Sequence, residues 1–296
     1  MIGFLKKFRR VNLKRILLLI LLLIVATGLL VGCGQQEAEK KEVNLGYVNW
    51  AEGIAMTHLA QAVIEDEFDY DVTTTMADVG PTFQGLSTGD IDAFMDVWLP
   101  VTHQSYIDKL GDDIVRLGTN YNGARIGLVV PEYVEFDSIA EMNNYKDKFD
   151  SEIIGIDAGA GIMRTTRQAI EEYDLDFELL EGSGAAMTAS LKTAIDKNEW
   201  IVVTGWNPHW KFARWDLKFL EDPEGVYGEI ETIYTYSRQG LEEDLPEVTN
   251  FLKNFKMNIS QLGDLMGAIA DSDEEPVEVA RQWKEEYSNL INSWLK

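Results

Sequence analysis

The chain has 296 residues, 46% of them hydrophobic, and its 50 acidic side chains outnumber 26 basic ones to give a net charge of −24. Such a composition supports a packed globule, while the negative field repels nucleic acid and anionic lipid heads, so no nucleic-acid partner is expected. The single cysteine, Cys33, excludes an internal disulfide and a cysteine-built metal site.

At the N-terminus, Lys6, Lys7, Arg9, Arg10, Lys14 and Arg15 precede an apolar run from Ile16 to Leu30. That is the pattern of an export signal. The run is shorter than the roughly 18 residues of a spanning helix, and it stops at Leu30-Val31-Gly32-Cys33, a small-residue cleavage site ending in cysteine. Residues 1–32 are therefore expected to be removed. The site resembles a bacterial lipobox, which implies diacylglycerol on the Cys33 sulfur, an acylated new N-terminus and anchorage to the outer face of the cell membrane. Residues 33–42 are polar and lack apolar periodicity, as a flexible tether would. Without the signal, 20 basic groups face 50 acidic ones, and the fold starts near Val43.

Asn44 to Asn49 reads as a short apolar strand, and Glu52 to Ile64 carries apolar residues at helical spacing after a turn at Trp50. Asp71 to Met76 is β-branched and strand-like, Gly80 to Ser87 helical, and Ile91 to Val97 strand-like again. Ala124 to Pro131 is an apolar strand closed by proline. The pattern then restarts with a strand at Ile153 to Asp157, helices at Met163 to Tyr173 and Met187 to Lys197, and a strand at Trp200 to Thr204. An extended stretch, Glu231 to Ser237, precedes helices at Glu247 to Phe255, Ser260 to Asp271 and Pro276 to Trp294. The alternation predicts an α/β fold of two lobes, each a mainly parallel sheet flanked by helices. Residues 43–127 open lobe I, residues 128–234 form lobe II, and residues 235–296 return to lobe I. Two crossings make a hinge, with ligand caught in the interlobe cleft.

Three of the eight tryptophans, Trp50, Trp98 and Trp206, stand where a strand is expected to end, and open α/β sheets bind ligands at strand ends. The other five lie in patterns that core packing explains. Three indole faces suit a cation that cannot donate hydrogen bonds, because the ring quadrupole attracts the charge and the ring area covers its methyl groups. Such a cage needs no acidic side chain. The small-residue stretch Asp157 to Ile162 opens a helix, and its unpaired amides suit a carboxylate. It does not fit a dinucleotide fingerprint, since Arg164 stands where the third glycine is required. Three scattered histidines, without HExxH or GxSxG, supply no catalytic constellation, and Gly182-Ser183-Gly184 has no evident partner, so no enzyme, metal or cofactor is expected.

Four segments, GYVNWAEGIA (Gly46 to Ala55), DVWLPVTH (Asp96 to His103), GIDAGAGIM (Gly155 to Met163) and VTGWNPHW (Val203 to Trp210), resemble signature stretches of glycine betaine/proline betaine substrate-binding lipoproteins of ABC importers. The resemblance covers nearly all of Val43 to Trp294. It implies a two-lobed periplasmic-binding-protein fold of type II, with a prism of Trp50 and Trp98 from lobe I and Trp206 from lobe II around a trimethylammonium. It also implies amides of Gly161 and Ile162 on the ligand carboxylate, and permease and ATPase subunits as partners of a monomer. His103 is a further candidate for ligand contact, whereas His58 and His209 are read as structural. The alternative is a choline- or carnitine-binding protein of a related importer. Choline lacks a carboxylate, so it would need an acidic side chain at its hydroxyl and would leave the Gly161 amides idle.

Overall fold

The structure, a computed structural model, describes residues 41–296; the expected signal, Cys33 and all but the end of the tether lie outside the described residues. The strands are β1 (Glu42–Tyr47), β2 (Asp71–Met76), β3 (Ala93–Leu99), β4 (Ile114–Pro131), β5 (Glu152–Ile154), β6 (Glu178–Leu180), β7 (Val203–Asn207), β8 (Leu217–Phe219) and β9 (Glu231–Arg238). They run in the order β2-β1-β3-β9-β4-β7-β5-β6, with β8 also on β4. At the outer parts of this path β1 pairs parallel with β2 and β3, and β5 pairs parallel with β6 and β7. In the middle β9 and β4 pair antiparallel with each other and with their neighbours. Parallel pairing follows from the helical crossovers of the expected βα units, and the antiparallel pairs appear where the chain passes between lobes.

β4 is that passage. Ile114 to Ala124 pair with β9, whereas Arg125 to Val129 pair with β7, so one strand changes sheets between Ala124 and Arg125. β9 brings the chain back and lies between β3 and β4, paired with β4 along its length and with β3 from Thr232 to Ser237. Sequence periodicity reveals only the second half of β4. Its first half, with Gly118, Asn120, Asn122 and Gly123, carries turn chemistry, and here the register against β9 slips three times in β-bulges.

The helix Ala51–Phe68 is buried along most of its surface, including Ala55, Met56, Leu59, Ala60, Val63 and Ile64. It packs on the lobe I sheet and also against helices Ile259–Asp271 and Pro276–Glu286 of the C-terminal tail. Ion pairs from Arg281 to Glu65 and Asp66, and from Lys284 to Asp66 and Glu67, fasten that tail. The final helix breaks at Tyr287, between Pro276–Glu286 and Ser288–Trp294, where the expectation was one continuous helix. Among the described residues no helix is long and apolar enough to cross a membrane, and no cluster of His, Cys, Asp or Glu could hold a metal ion.

Candidate functional site

Each tryptophan is set by the end of a strand. Trp98 and Trp206 are the next-to-last residues of β3 and β7, and each precedes by two residues a proline joined through a cis peptide bond, Pro100 and Pro208. Trp50 follows β1 by three residues and caps helix Ala51–Phe68 in an extended conformation. All three rings are buried, between 2% and 5% exposed, and all three line one cavity. Gly161 and Ile162 line it from lobe II, which also carries Trp206, with Thr102 and Glu52 from lobe I.

The indole N–H groups show how the rings are held. Trp50 Nε1 donates to Asp157 Oδ2 at 3.3 Å, and Trp206 Nε1 donates to Glu52 Oε2 at 2.8 Å. Asp157 precedes the helix Gly161–Glu172 of lobe II, and Glu52 belongs to lobe I, so each lobe fastens a tryptophan of the other. Trp98 Nε1 donates within its own strand, to Asp96 Oδ1 at 2.7 Å. Satisfying a buried N–H avoids a cost of roughly 1–3 kcal/mol and fixes ring orientation as well as position.

Gly161 and Ile162 occupy the first turn of helix Gly161–Glu172, where backbone N–H groups have no acceptor within the helix. Neither N–H finds an acceptor among the described residues, although Met163 and Arg164 both donate to Ala160 O. Only glycine fits at 161, because a Cβ there would fall far inside van der Waals contact of Thr102 O and close to Thr102 Cγ2. The same junction is crossed by Arg164, which donates to Val101 O at 3.1 Å.

The loop bearing Thr102 is fastened by Glu231, the first residue of β9. Its carboxylate accepts from the amides of Val101 at 2.8 Å and Thr102 at 2.9 Å, and from Thr102 Oγ1 at 2.5 Å. Replacing Glu231 with alanine leaves three donors in a buried place without an acceptor and is expected to lower stability by about 2 kcal/mol. Urea unfolding checks this; an unchanged midpoint would show that the loop does not depend on the carboxylate.

His103 does not line the cavity. It is fully buried behind Trp50, its ring stacked on that indole at 5.8 Å, and its Nδ1 accepts from the Trp98 amide at 3.0 Å. Burial, with the Arg164 cation adding to it, pushes its pKa down to about 3, so the imidazole is neutral and carries its proton on Nε2. That Nε2–H has no partner among the described residues. His209 is also neutral, held well below the usual range by burial and then by Lys211, and its Nδ1 accepts from the Lys211 amide. His58 bonds to Gln61. Ser183, flanked by glycines, accepts from the Ala186 amide as the cap of helix Gly184–Lys197.

Carboxylates around the rings were not expected from the sequence. Glu52, at 1% exposure, is part of the cavity wall. Burial, and then the negative charge of Asp96, push it well above the usual carboxylate range, while the Trp206 N–H and the Lys211 cation pull it back. Burial lifts Asp96 to about 7 against the opposing Trp98 N–H. A cage free of acid therefore does not describe this site. The available signal was position: Asp96 stands inside the apolar run IDAFMDV, and Glu52 two residues from Trp50.

The family model for the substrate binding domain of ABC-type glycine betaine transport systems, OpuAC, matches residues 41–286. The glycine betaine/carnitine transport binding protein GbuC of Listeria monocytogenes is 40% identical over 174 residues, which are 58% of this chain and 56% of that protein. The aligned part thus spans little more than half of that relative's length. Lactococcal OpuAC, solved closed and liganded with glycine betaine, superposes with a TM-score of 0.81 at 35% identity, covering 87% of this chain and all of that one. An ABC-transporter choline-binding protein solved with choline superposes with a TM-score of 0.80 at 27% identity, covering 86% of this chain and 91% of that one. With the family match extending through both lobes and the tail up to Glu286, the chain belongs to the OpuAC family of extracytoplasmic substrate-binding domains, which serve transport and not catalysis.

Proposed function

We propose that this protein captures glycine betaine, or a close relative such as proline betaine, between its lobes and delivers it to the permease and ATPase subunits of an importer for osmoprotectant uptake. The observation that carries the reading is the convergence of Trp50, Trp98 and Trp206 on one cavity whose far wall presents the unpaired amides of Gly161 and Ile162. Indole faces surround the trimethylammonium, each desolvated contact contributing up to about 2 kcal/mol, and three approach the roughly 8 kcal/mol of micromolar affinity. The amides take the carboxylate at the positive end of the helix. His103 does not line the cavity; to serve as a third donor for the carboxylate, its unpartnered Nε2–H must reach the ligand past the neighbouring lining residue Thr102. Lobe I is taken as residues 43–127 and 235–296 and lobe II as residues 128–234, with pivots within a few residues of the sheet change in β4 between Ala124 and Arg125 and of the start of β9 at Glu231. The protein is a monomer, held to the outer face of the membrane by lipid on Cys33.

Glu52 at the cavity wall favours one second reading, choline, whose hydroxyl a carboxylate would accept. The idle amides of Gly161 and Ile162 weigh against it. Titrating intrinsic tryptophan fluorescence with glycine betaine, proline betaine, carnitine and choline separates the two. A micromolar response to glycine betaine with a far weaker one to choline is expected; the reverse order would replace the ligand assignment.

A further inference from the structure

Behind Trp206, outside the cavity, lies a lysine that the binding of a zwitterion does not explain. Lys211 is fully buried, its ammonium 4.3 Å from the Trp206 ring centroid, and its Nζ has no hydrogen-bond partner among the described residues. It is not among the cavity-lining residues, whereas Trp206, whose ring it covers, and Glu52 are. The Trp206 ring thus has a cation of the protein on it and a carboxylate on its N–H.

We propose that Glu52 and Lys211 form a charge pair across Trp206 that gives up a proton when a quaternary ammonium enters the cage, so that both residues set the affinity although the lysine never touches the ligand. This rests on the reading of the cavity as an ammonium cage. A fixed positive charge beside Trp206 and Glu52 favours the carboxylate over the carboxylic acid and the neutral amine over the ammonium. Two like unit charges about 9 Å apart at an effective dielectric of about 20 repel by an amount equal to roughly a twentyfold change in affinity. Expelling the proton relieves that repulsion or converts Glu52 into a counter-charge.

The groups able to respond are few. Glu52 faces Asp96 on β3, Trp206 on β7 and Lys211; Lys211 faces Glu52 and His209. Asp96 Oδ2 is a second buried polar atom without a partner among the described residues. His209 is already neutral, so it has no proton to give near pH 7. Burial brings Lys211 down to about 7 against the pull of Glu52, while Asp96 rises to about 7 and Glu52 lies well above its ordinary range. The cluster therefore holds an exchangeable proton within the physiological window. Because binding releases that proton, affinity rises with pH through this window and levels off once the proton is already gone.

Calorimetric titration of the protein with glycine betaine in phosphate and in Tris, buffers of different ionisation enthalpy, counts the protons released. Release of about half a proton near pH 7, with affinity rising roughly tenfold over about two pH units, is the expected result. Binding with no proton exchange anywhere between pH 6 and 9 overturns the proposal while leaving the ammonium cage intact; absence of binding at every pH would sink the cage itself. In the Glu52→Gln/Lys211→Met double variant, whose folding circular dichroism reports, release should fall to no more than the share that Asp96 supplies. Undiminished release from a folded double variant overturns the assignment to this pair, and if the variant does not fold, the proton count of the unmodified protein decides.

Discussion

The Trp206→Ala protein is expected to bind glycine betaine about 3–4 kcal/mol more weakly than the parent, a loss of two to three orders of magnitude by calorimetry. The effect exceeds that of an ordinary cage wall because this ring has three roles. It presents a face to the cavity, its N–H is the lobe II end of the bond to Glu52, and its ring covers the Lys211 ammonium. Without it the cation face goes, one of the two reciprocal tryptophan bonds between the lobes goes, and Lys211 is separated from the cavity only by a void. Trp206→Phe separates these contributions, since it retains an aromatic face but no N–H, and its affinity should fall between the two. Equal affinities for the parent and the alanine variant would remove this residue from the site.

The positions of the rings were legible because a strand end is written in the chain. Strand character that stops at Trp98-Leu99-Pro100 and at Trp206-Asn207-Pro208 announces a side chain at the sheet edge. The strand carrying Trp206 was expected at Trp200 to Thr204 and lies at Val203–Asn207, because Trp200 packs instead with Phe136, Tyr145 and Phe149. The first half of β4 was illegible for a different reason. Asn120 there is neither a turn residue nor exposed: its amide donates to Met95 O and accepts from Thr235, and Gly118 lies against the carbonyls of Leu252 and Lys253. Local propensity cannot show a partner more than a hundred residues away, and tertiary pairing overrode it.

The charged groups around the rings were hidden by the composition. Among 50 acidic residues, the few that are buried look in sequence like the many on the surface, yet Glu52, Asp96 and Glu231 are each at most 1% exposed. Each holds an indole N–H or a loop amide beside the cavity. Buried carboxylates need such donors. The donors tie residue 52 to 206, 96 to 98, and 231 to 101 and 102, and the first and last of these links are not revealed by spacing along the chain.

Gly161→Ala is expected to be the most damaging single-methyl change at the site, lowering affinity by about 4 kcal/mol, a thousandfold, while leaving thermal stability nearly unchanged. The residue does not need a positive φ, so alanine is acceptable within its own lobe, where it is a better helix former than glycine. What alanine cannot tolerate is the approach of Thr102, whose carbonyl oxygen belongs to a backbone fixed by Glu231 and cannot swing aside. The lobes must therefore stay apart at this point, and the loss accumulates over the contacts that closure makes, Arg164 to Val101, Trp50 to Asp157 and Trp206 to Glu52, and over the proposed contact of both helix amides with the ligand. A loss caused by closure falls on all ligands alike, so choline and glycine betaine should weaken by the same factor. Small-angle scattering should then show no ligand-induced compaction. Compaction that survives in Gly161→Ala, with only the carboxylate-bearing ligand weakened, would mean that the glycine serves the anion and not the meeting of the lobes.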